Sequence, residues 1–496
     1  MRPLRNQEYL RQRYAAIVSA VGMILLMGGI LMSSPLLVLL VDREEFAHAA
    51  SFIEPAGSMI LLGWVLWRGF RRPLEHTLTV PEGGIVVVVS WILVILFSAW
   101  PFTSILGLAY SRSVFEAVSG WTTTGLSVVD VATAGRMVLL WRSVIQMVGG
   151  AGLAVLMMSA VVGPVGVGIT SAEGRGDQLA PNVRRSAHLV LIIYIGYALS
   201  GILAYRVVGM SWFDAVNHSF AAVSTGGVST RVENIGYWNS AAVEAVSVVL
   251  MILGNMSFVT AWLLWRGKLR LVMKNGEVRL MAFLIPVSIA AAFLWTTSAI
   301  YPRMEKAIRV AVFETVSALT TTGFSSVVYD DWNGFGVFML VVLMLIGGGT
   351  CSTAGGIKQF RVHLLWRMLC VELRRQMLPR TAVSECAVWE GDKRVFVDDG
   401  RVRQVMIFLF VYLAIYVLGV LNLCACGFRL ADSLFEFASA LGTVGLSIGV
   451  TSAGMPDAAL WAETIAMFLG RLEFFVVFVS LAKMTEDGRG MLTASG

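Results

Sequence analysis

The sequence predicts an all-α polytopic membrane protein made of four copies of one unit (span, short helix, polar loop, span) behind two extra N-terminal transmembrane helices. Three observations carry that prediction. Of 496 residues, 57% are hydrophobic and 14% charged, and mean hydropathy is +0.75, whereas a soluble domain is about one-quarter charged. Apolar runs of the roughly 20 residues needed to cross a hydrocarbon core occur ten times, near 17–40, 52–70, 83–102, 135–162, 187–209, 243–265, 279–301, 334–357, 405–427 and 459–482. The segment SVFEAVSGWTTTGLS, Ser113 to Ser127, reappears as AVFETVSALTTTGFS from Ala311 to Ser325.

The first run ends in SSPLLVLLVDREE without a small-residue cleavage pattern, so it reads as a retained helix and not a signal peptide. With the N-terminus cytoplasmic, the basic segments Arg2–Arg13, Arg68–Arg72, Arg175–Arg185, Arg266–Arg279, Lys358–Arg403 and Lys483–Arg489 all fall on one side. That satisfies the positive-inside rule and places both termini on the cytoplasmic side of the membrane. Arg303, Lys306 and Arg309 are the exceptions. Net charge is +6; topology and contact with anionic membrane lipid account for the basic loops, and no nucleic-acid partner is expected. The five cysteines (Cys351, Cys370, Cys386, Cys424, Cys426) have no CxxC spacing or pairing framework and read as apolar fillers.

The short pieces of the repeat begin Ser113-Val-Phe115-Glu116, Ser211-Trp-Phe213-Asp214, Ala311-Val-Phe313-Glu314 and Ser433-Leu-Phe435-Glu436. Three of them have Ser three residues before a carboxylate, the capping-box arrangement, which predicts a helix start there. Ion ligation is the alternative use of those carboxylates. The loops that follow align without gaps: Thr122–Ser127, Ser224–Ser229, Thr320–Ser325 and Gly442–Ser447. From the Phe to the aligned Gly the spacing is 10, 14, 10 and 10 residues, which predicts a second helix longer by one turn. Each second span carries a Gly 24 to 27 residues past the loop Gly, namely Gly149, Gly254, Gly347 and Gly470. The organisation predicted is a two-helix addition over 1–76, repeats over 77–170, 171–270, 271–366 and 405–496, and a cytoplasmic linker over 367–404.

Non-helical backbone at membrane depth survives only where protein or a water-filled cavity satisfies it, so four such loops should converge on one pseudo-fourfold pore. A re-entrant helix aims its partly negative C-terminal end at the membrane centre, which favours a cation. Rings of carbonyls replace the hydration shell of an alkali ion; Gly permits the dihedrals required, and Thr and Ser hydroxyls add ligands. The ion-binding candidates are Thr123, Thr124, Gly125, Thr225, Gly226, Gly227, Thr321, Thr322, Gly323, Thr443, Val444 and Gly445. No loop holds a carboxylate, so an acidic ring of the divalent type is not indicated.

These loops and second-span glycines resemble the Trk/Ktr/HKT superfamily of potassium transporters, and the whole pattern is similar to the TrkH-type pore-forming subunit of bacterial Trk uptake systems. The resemblance implies that Gly125, Gly227, Gly323 and Gly445 are filter residues and, with Gly at all four, that potassium is preferred. It also implies a homodimer and a separate cytosolic nucleotide-binding regulatory ring, TrkA-like, with no cofactor in this chain. The fourth loop, GTVGLS, departs by having Gly442 and Val444, so the filter is only approximately fourfold.

Two further stretches carry gate chemistry. MLIGGGTCSTAGGIKQFR, Met344 to Arg361, puts five glycines in ten residues. Each costs about 1 kcal/mol against Ala in a helix, which predicts a break. A close small-residue helix crossing and a flexible intramembrane loop are the two readings; the second is preferred, and the resemblance gives a gate in the third repeat. A Walker phosphate loop is excluded because Gly-Lys-Ser/Thr after a strand is missing. The gate residues are Gly347, Gly348, Gly349, Thr350, Ser352, Thr353, Gly355, Gly356, Lys358 and Arg471. Arg471 lies mid-span in MFLGRLEFFVVF, where a charge is costly unless it faces water or a partner. A salt bridge to another span is one reading; a pore-facing barrier is preferred, with Gly150, Asn255 and Gly348 at the equivalent positions.

The five histidines form no ligand cluster and no nucleophile elbow is present, so the chain does not read as an enzyme. EGDKRVFVDDGRVR predicts a hairpin around Asp399-Gly400. Two alternatives remain to the potassium pore: a sodium-permeable or ion-coupled symporter on the same scaffold, and an intramembrane enzyme whose Gly-rich break binds substrate.

Overall fold

The structure, a computed structural model, describes residues 2–70, 78–152, 183–379, 386–390 and 393–493. An all-α polytopic membrane architecture forms, as the sequence predicts. Six described helices are long and apolar enough to cross a membrane, and two bent helix pairs each have the composition of one span. The chain divides into two compact units, one of Met1–Thr122, Val128–Ile195 and Phe468–Gly496 and the other of Thr123–Ser127 and Gly196–Met467.

In the first unit, α1 (Arg2–Met32) and α2 (Ala50–Gly69) meet along small residues. A Cβ on Gly22 would stand 2.5 Å from Trp67 N, and one on Gly63 2.5 Å from Leu26 N, so only glycine permits this crossing. Helix α3 (Val80–Ser98) opens on a capping box in which Thr79 N donates to Glu82 Oε2 at 2.7 Å. The same carboxylate receives Arg13 Nε at 2.7 Å, pairing the two buried charges. Then follow α4 (Trp100–Leu106), α5 (Tyr110–Trp121) and α6 (Arg136–Ala151). α7 (Val183–Val207) passes into the second unit.

The second unit continues with α8 (Trp212–Val223), α9 (Ala241–Asn255), α10 (Phe258–Trp265), α11 (Gly276–Ala292), α12 (Met304–Leu319) and α13 (Gly334–Ile346). After α14 (Gln359–Met377) a hairpin forms from β1 (Ala387–Glu390) and β2 (Lys393–Phe396), with Ala387 opposite Phe396. α15 (Asp399–Ala425), α16 (Leu430–Leu441) and α17 (Asp457–Leu472) follow, and α18 (Phe474–Thr493) returns to the first unit.

The hairpin is thus displaced from Asp399-Gly400. Asp398 accepts Arg401 N at 3.2 Å and N-caps α15, so the Asp-Asp-Gly cluster starts a helix, and the β-branched and aromatic residues upstream form the strands.

The second spans also differ from continuous helices. Run 243–265 bends by 114° between α9 and α10, and run 459–482 by 95° at Glu473, whose φ is +54. Run 334–357 is helical only to Ile346, and α6 stops at Ala151; the rest of run 135–162, beyond 152, lies outside the described residues, as does most of Arg175–Arg185. In all four repeats the helix ends within two residues of the aligned glycine. In the first two repeats that glycine accommodates a close backbone approach: a Cβ on Gly149 would be 2.0 Å from Trp121 O, and one on Gly254 2.6 Å from Val223 O.

Candidate functional site

The four loops share one backbone conformation. Thr123, Thr225, Thr321 and Thr443 have φ of 54, 52, 52 and 51, and Gly125, Gly227, Gly323 and Gly445 have φ of 94, 69, 79 and 97. A β-branched residue in the left-handed region is strained by roughly 1–2 kcal/mol, so the same strain is imposed four times over.

Close approaches order the loops. A Cβ on Gly227 would stand 2.1 Å from Thr322 O, one on Gly323 1.9 Å from Val444 O, and one on Gly445 2.1 Å from Thr124 O. Loops two, three, four and one therefore abut in that sequence, each glycine against the carbonyl that precedes the next glycine. All of these threonines are buried, and among the described residues the hydroxyls of Thr123 and Thr443 have no hydrogen-bond partner.

The carboxylates of the repeat do not act as predicted. α5, α8 and α16 each have 12 residues, and α12 has 16, so the second helix is not the long one. Glu116, Glu314 and Glu436 sit well inside their helices and grip the chain just past each loop. Val128 N donates to Glu116 Oε2 at 3.1 Å, Ser326 N to Glu314 Oε1 at 2.8 Å, and Ile448 N to Glu436 Oε2 at 3.2 Å. Only Ser211–Asp214 is a cap, with Asp214 N donating to Ser211 Oγ at 3.0 Å. Ser113 instead accepts from Thr103 Oγ1 at 2.8 Å, one turn into α5.

Counted back nine residues from the loop glycine, the position of these glutamates is occupied in repeat two by His218, which the sequence reading missed. His218 Nε2 lies 2.9 Å from Ser229 Oγ, and its ring lies against the neighbouring loop's Phe324, tilted by 30° with centroids 5.9 Å apart. Alignment from the loops, rather than from the Ser-x-Phe start, is the signal that finds it. Asp214, one turn earlier, holds Thr230 Oγ1 at 2.6 Å and Arg231 Nη2 at 3.2 Å. Glu116 alone of the three glutamates is paired with a buried arginine, Arg142 Nε at 2.7 Å.

From Gly347 to Lys358 the chain leaves helix and closes on itself: Ile357 N donates to Leu345 O at 2.9 Å and Lys358 N to Ile346 O at 3.0 Å. Two backbones cross at Gly347 and Gly356, where a Cβ on Gly347 would stand 2.2 Å from Gly355 O. This explains the glycines as a self-closing loop. Thr353 Oγ1 lies 2.9 Å from Gly254 O, 3.2 Å from Val223 O and 3.1 Å from Thr225 Oγ1. Gly355 N donates to Thr321 Oγ1 at 2.8 Å. The loop thus occupies the hydroxyls of Thr225 and Thr321. Its outer end is held by Asn255, which receives Gly349 N on both its carbonyl and Oδ1 at 3.2 Å, and by Glu277, which receives Thr350 N at 2.7 Å. Ser352 Oγ closes onto Gly349 O at 2.6 Å, and Lys358 Nζ bonds Ala354 O. Gly348 lies against Asn255, which would be 2.1 Å from its Cβ.

In the first unit, Arg471 Nη2 donates to Gly149 O at 2.6 Å and Gly150 O at 3.1 Å. The guanidinium thereby caps the C-terminal end of α6, where helix carbonyls favour a cation.

The fold and its loops define a class: helical multi-pass membrane proteins that bring several polar re-entrant loops together within one chain. The chain belongs to the TrkH family of cation transport proteins, whose signature matches residues 52–491. It is 32% identical over 479 residues to the Trk system potassium uptake protein TrkH of Halomonas elongata, covering 93% of this chain and 97% of that protein. It is likewise 32% identical over 414 residues to TrkG of Escherichia coli K12, covering 80% and 84%. The crystal structure of the potassium transporter TrkH from Vibrio parahaemolyticus superposes with a TM-score of 0.82 at 28% identity, covering 94% of this chain and 98% of that one.

Proposed function

We propose that this chain carries potassium across a bacterial inner membrane, down its electrochemical gradient, through a filter built from the four loops. The observation that carries the reading is the shared left-handed Thr and Gly pair in every loop, with Gly227, Gly323 and Gly445 each closed against a neighbouring loop's carbonyl. The orphaned hydroxyls of Thr123 and Thr443 are ligands suited to a dehydrated alkali cation. The names of the relatives, Trk potassium uptake proteins, support the choice of ion.

In this reading the four repeats, 77–170, 171–270, 271–366 and 405–496, surround one pseudo-fourfold pore, and both termini are cytoplasmic. The Gly-rich loop is the gate: it withholds the hydroxyls of Thr225 and Thr321 while Thr123 and Thr443 stay free, and its withdrawal restores all four. Arg471 adds a positive barrier. The active form is a homodimer regulated by a separate nucleotide-binding ring, the other component that the name "Trk system" of the relatives suggests.

Rubidium uptake into proteoliposomes, with sodium as competitor, tests the reading. Uptake that sodium does not suppress is expected; sodium flux without rubidium flux would favour the sodium-permeable alternative, and no flux under any gating condition would sink both. Gly125→Ser places a side chain at φ +94, so the loop must relax and withdraw its carbonyls. Potassium-over-sodium preference should fall about fivefold, equivalent to ~1 kcal/mol of imposed strain, and an unaltered ratio would count against the filter assignment. Thr353→Val removes the hydroxyl that ties the Gly-rich loop to Val223, Gly254 and Thr225. A lost buried hydrogen bond costs about 1 kcal/mol, so basal rubidium uptake should rise about threefold to fivefold; unchanged uptake would argue that the loop is not the gate.

A further inference from the structure

A cavity of about 600 Å³ opens in the second unit between α13 and α16, within the size range of ligand sites. Its α13 side is apolar, with Val337, Phe338 and Val341. Its rim carries Asp330, Arg429 and Asp432, all close to the N-terminal ends of those two helices. None of the three rim side chains makes a hydrogen bond or ion pair among the described residues. Phe338 is 60% exposed, and Phe335 and Leu430, on the same faces, are exposed too. An apolar slot with a charged mouth, opening on apolar surface, matches an amphiphile and not a free solute.

We propose that this cavity binds one zwitterionic phospholipid of the phosphatidylethanolamine type. Its phosphate meets the Arg429 guanidinium, its ammonium faces the carboxylates of Asp330 and Asp432, and an acyl chain lies along Val337, Phe338 and Val341. The charge count selects the headgroup. One arginine against two carboxylates repels a purely anionic lipid such as phosphatidylglycerol, and the carboxylates favour an ammonium that can donate hydrogen bonds over a quaternary one.

The site bears on the loops through its wall. Tyr329 lines it and bonds Glu314; Ile448 lines it and donates to Glu436. A bound lipid therefore braces the two glutamates that grip the chain after loops three and four. Binding itself does not depend on which ion is carried.

The test is native mass spectrometry of the full chain, released from micelles containing equal amounts of phosphatidylethanolamine and phosphatidylglycerol with identical acyl chains. Wild type should retain one phosphatidylethanolamine about threefold or more in excess of phosphatidylglycerol, the range expected for two partly exposed charge contacts. Arg429→Gln combined with Asp432→Asn should erase that preference, and Val337→Trp, which fills the slot, should lower retention of both lipids. Thermal unfolding shows that the variants are folded, and the two sets of substitutions give independent readings. Equal retention of the two lipids by wild type, or a preference that survives the charge substitutions, overturns the proposal. So does disulfide-linked dimer formed through Phe338→Cys, because a second copy of the chain would then occupy the face.

Discussion

Arg471→Ala is expected to raise basal potassium flux about tenfold, equivalent to a barrier lowered by ~1.4 kcal/mol, with potassium-over-sodium preference unchanged. The guanidinium is held by the Gly149 and Gly150 carbonyls at the end of α6, where it is a fixed positive charge in the last span, two residues before Glu473, where that span turns by 95°. With Arg471 as the proposed barrier, removing the charge should remove a repulsion against any cation that passes, while the residues of the four loops are unaltered. Arg471→Lys separates charge from shape: a lysine keeps the repulsion but loses the forked donor, so its flux should stay near wild type. Rubidium uptake into proteoliposomes reads both variants. Flux equally raised in Lys and Ala would mean that Arg471 acts through packing at the end of α6, and flux unchanged in Ala would mean that it is no barrier.

The second large effect is on stability. Glu116→Gln should destabilise the protein by about 3–5 kcal/mol, because it leaves the Arg142 guanidinium charged and deeply buried without its carboxylate; the two side chains are 3% and 4% exposed. The double variant Glu116→Gln/Arg142→Gln should recover most of that loss, since no uncompensated charge remains. Glu314→Gln and Glu436→Gln provide the contrast. Among the described residues neither carboxylate lies within ion-pair distance of a basic side chain, and Gln still accepts from the backbone after the loop, so about 1–2 kcal/mol is expected from altered hydrogen bonding alone. Unfolding of the detergent-solubilised protein measures all four. Equal losses for the three single substitutions would show that the Arg142 pair is not what makes Glu116 special.

These two cases separate what was readable in the chain from what was not. Arg471 stands out because a charge inside an apolar run is costly, and the cost alone marks the residue. Its partners were not readable, since carbonyls over 300 residues away in sequence leave no trace in side-chain identity. Glu116, Glu314 and Glu436 stand out as members of a repeat, but their Ser-x-x-Glu spacing suggested caps. A local pattern was read as a local contact, whereas each carboxylate reaches a backbone N–H 12 residues further on. His218 was hidden for a related reason: the repeats were matched at the start of the short helix, and in repeat two that start is a genuine cap displaced by one turn.

What the sequence determined by itself is the helical multi-pass class, the four Thr/Gly loops and the glycine-rich break, because each is a matter of composition and period along the chain. What only the tertiary structure decided is how backbones meet. Of the aligned glycines in the second spans, Gly149 and Gly254 are where a span meets the end of its own repeat's short helix, and Gly347 is where the chain crosses its own glycine-rich loop; the loop glycines Gly227, Gly323 and Gly445 are where one loop closes on the next. Hydropathy cannot register these contacts, because a helix that continues and one that turns by 114° bury the same residue types. The difference lies in the absence of a Cβ at a point fixed by a distant part of the chain.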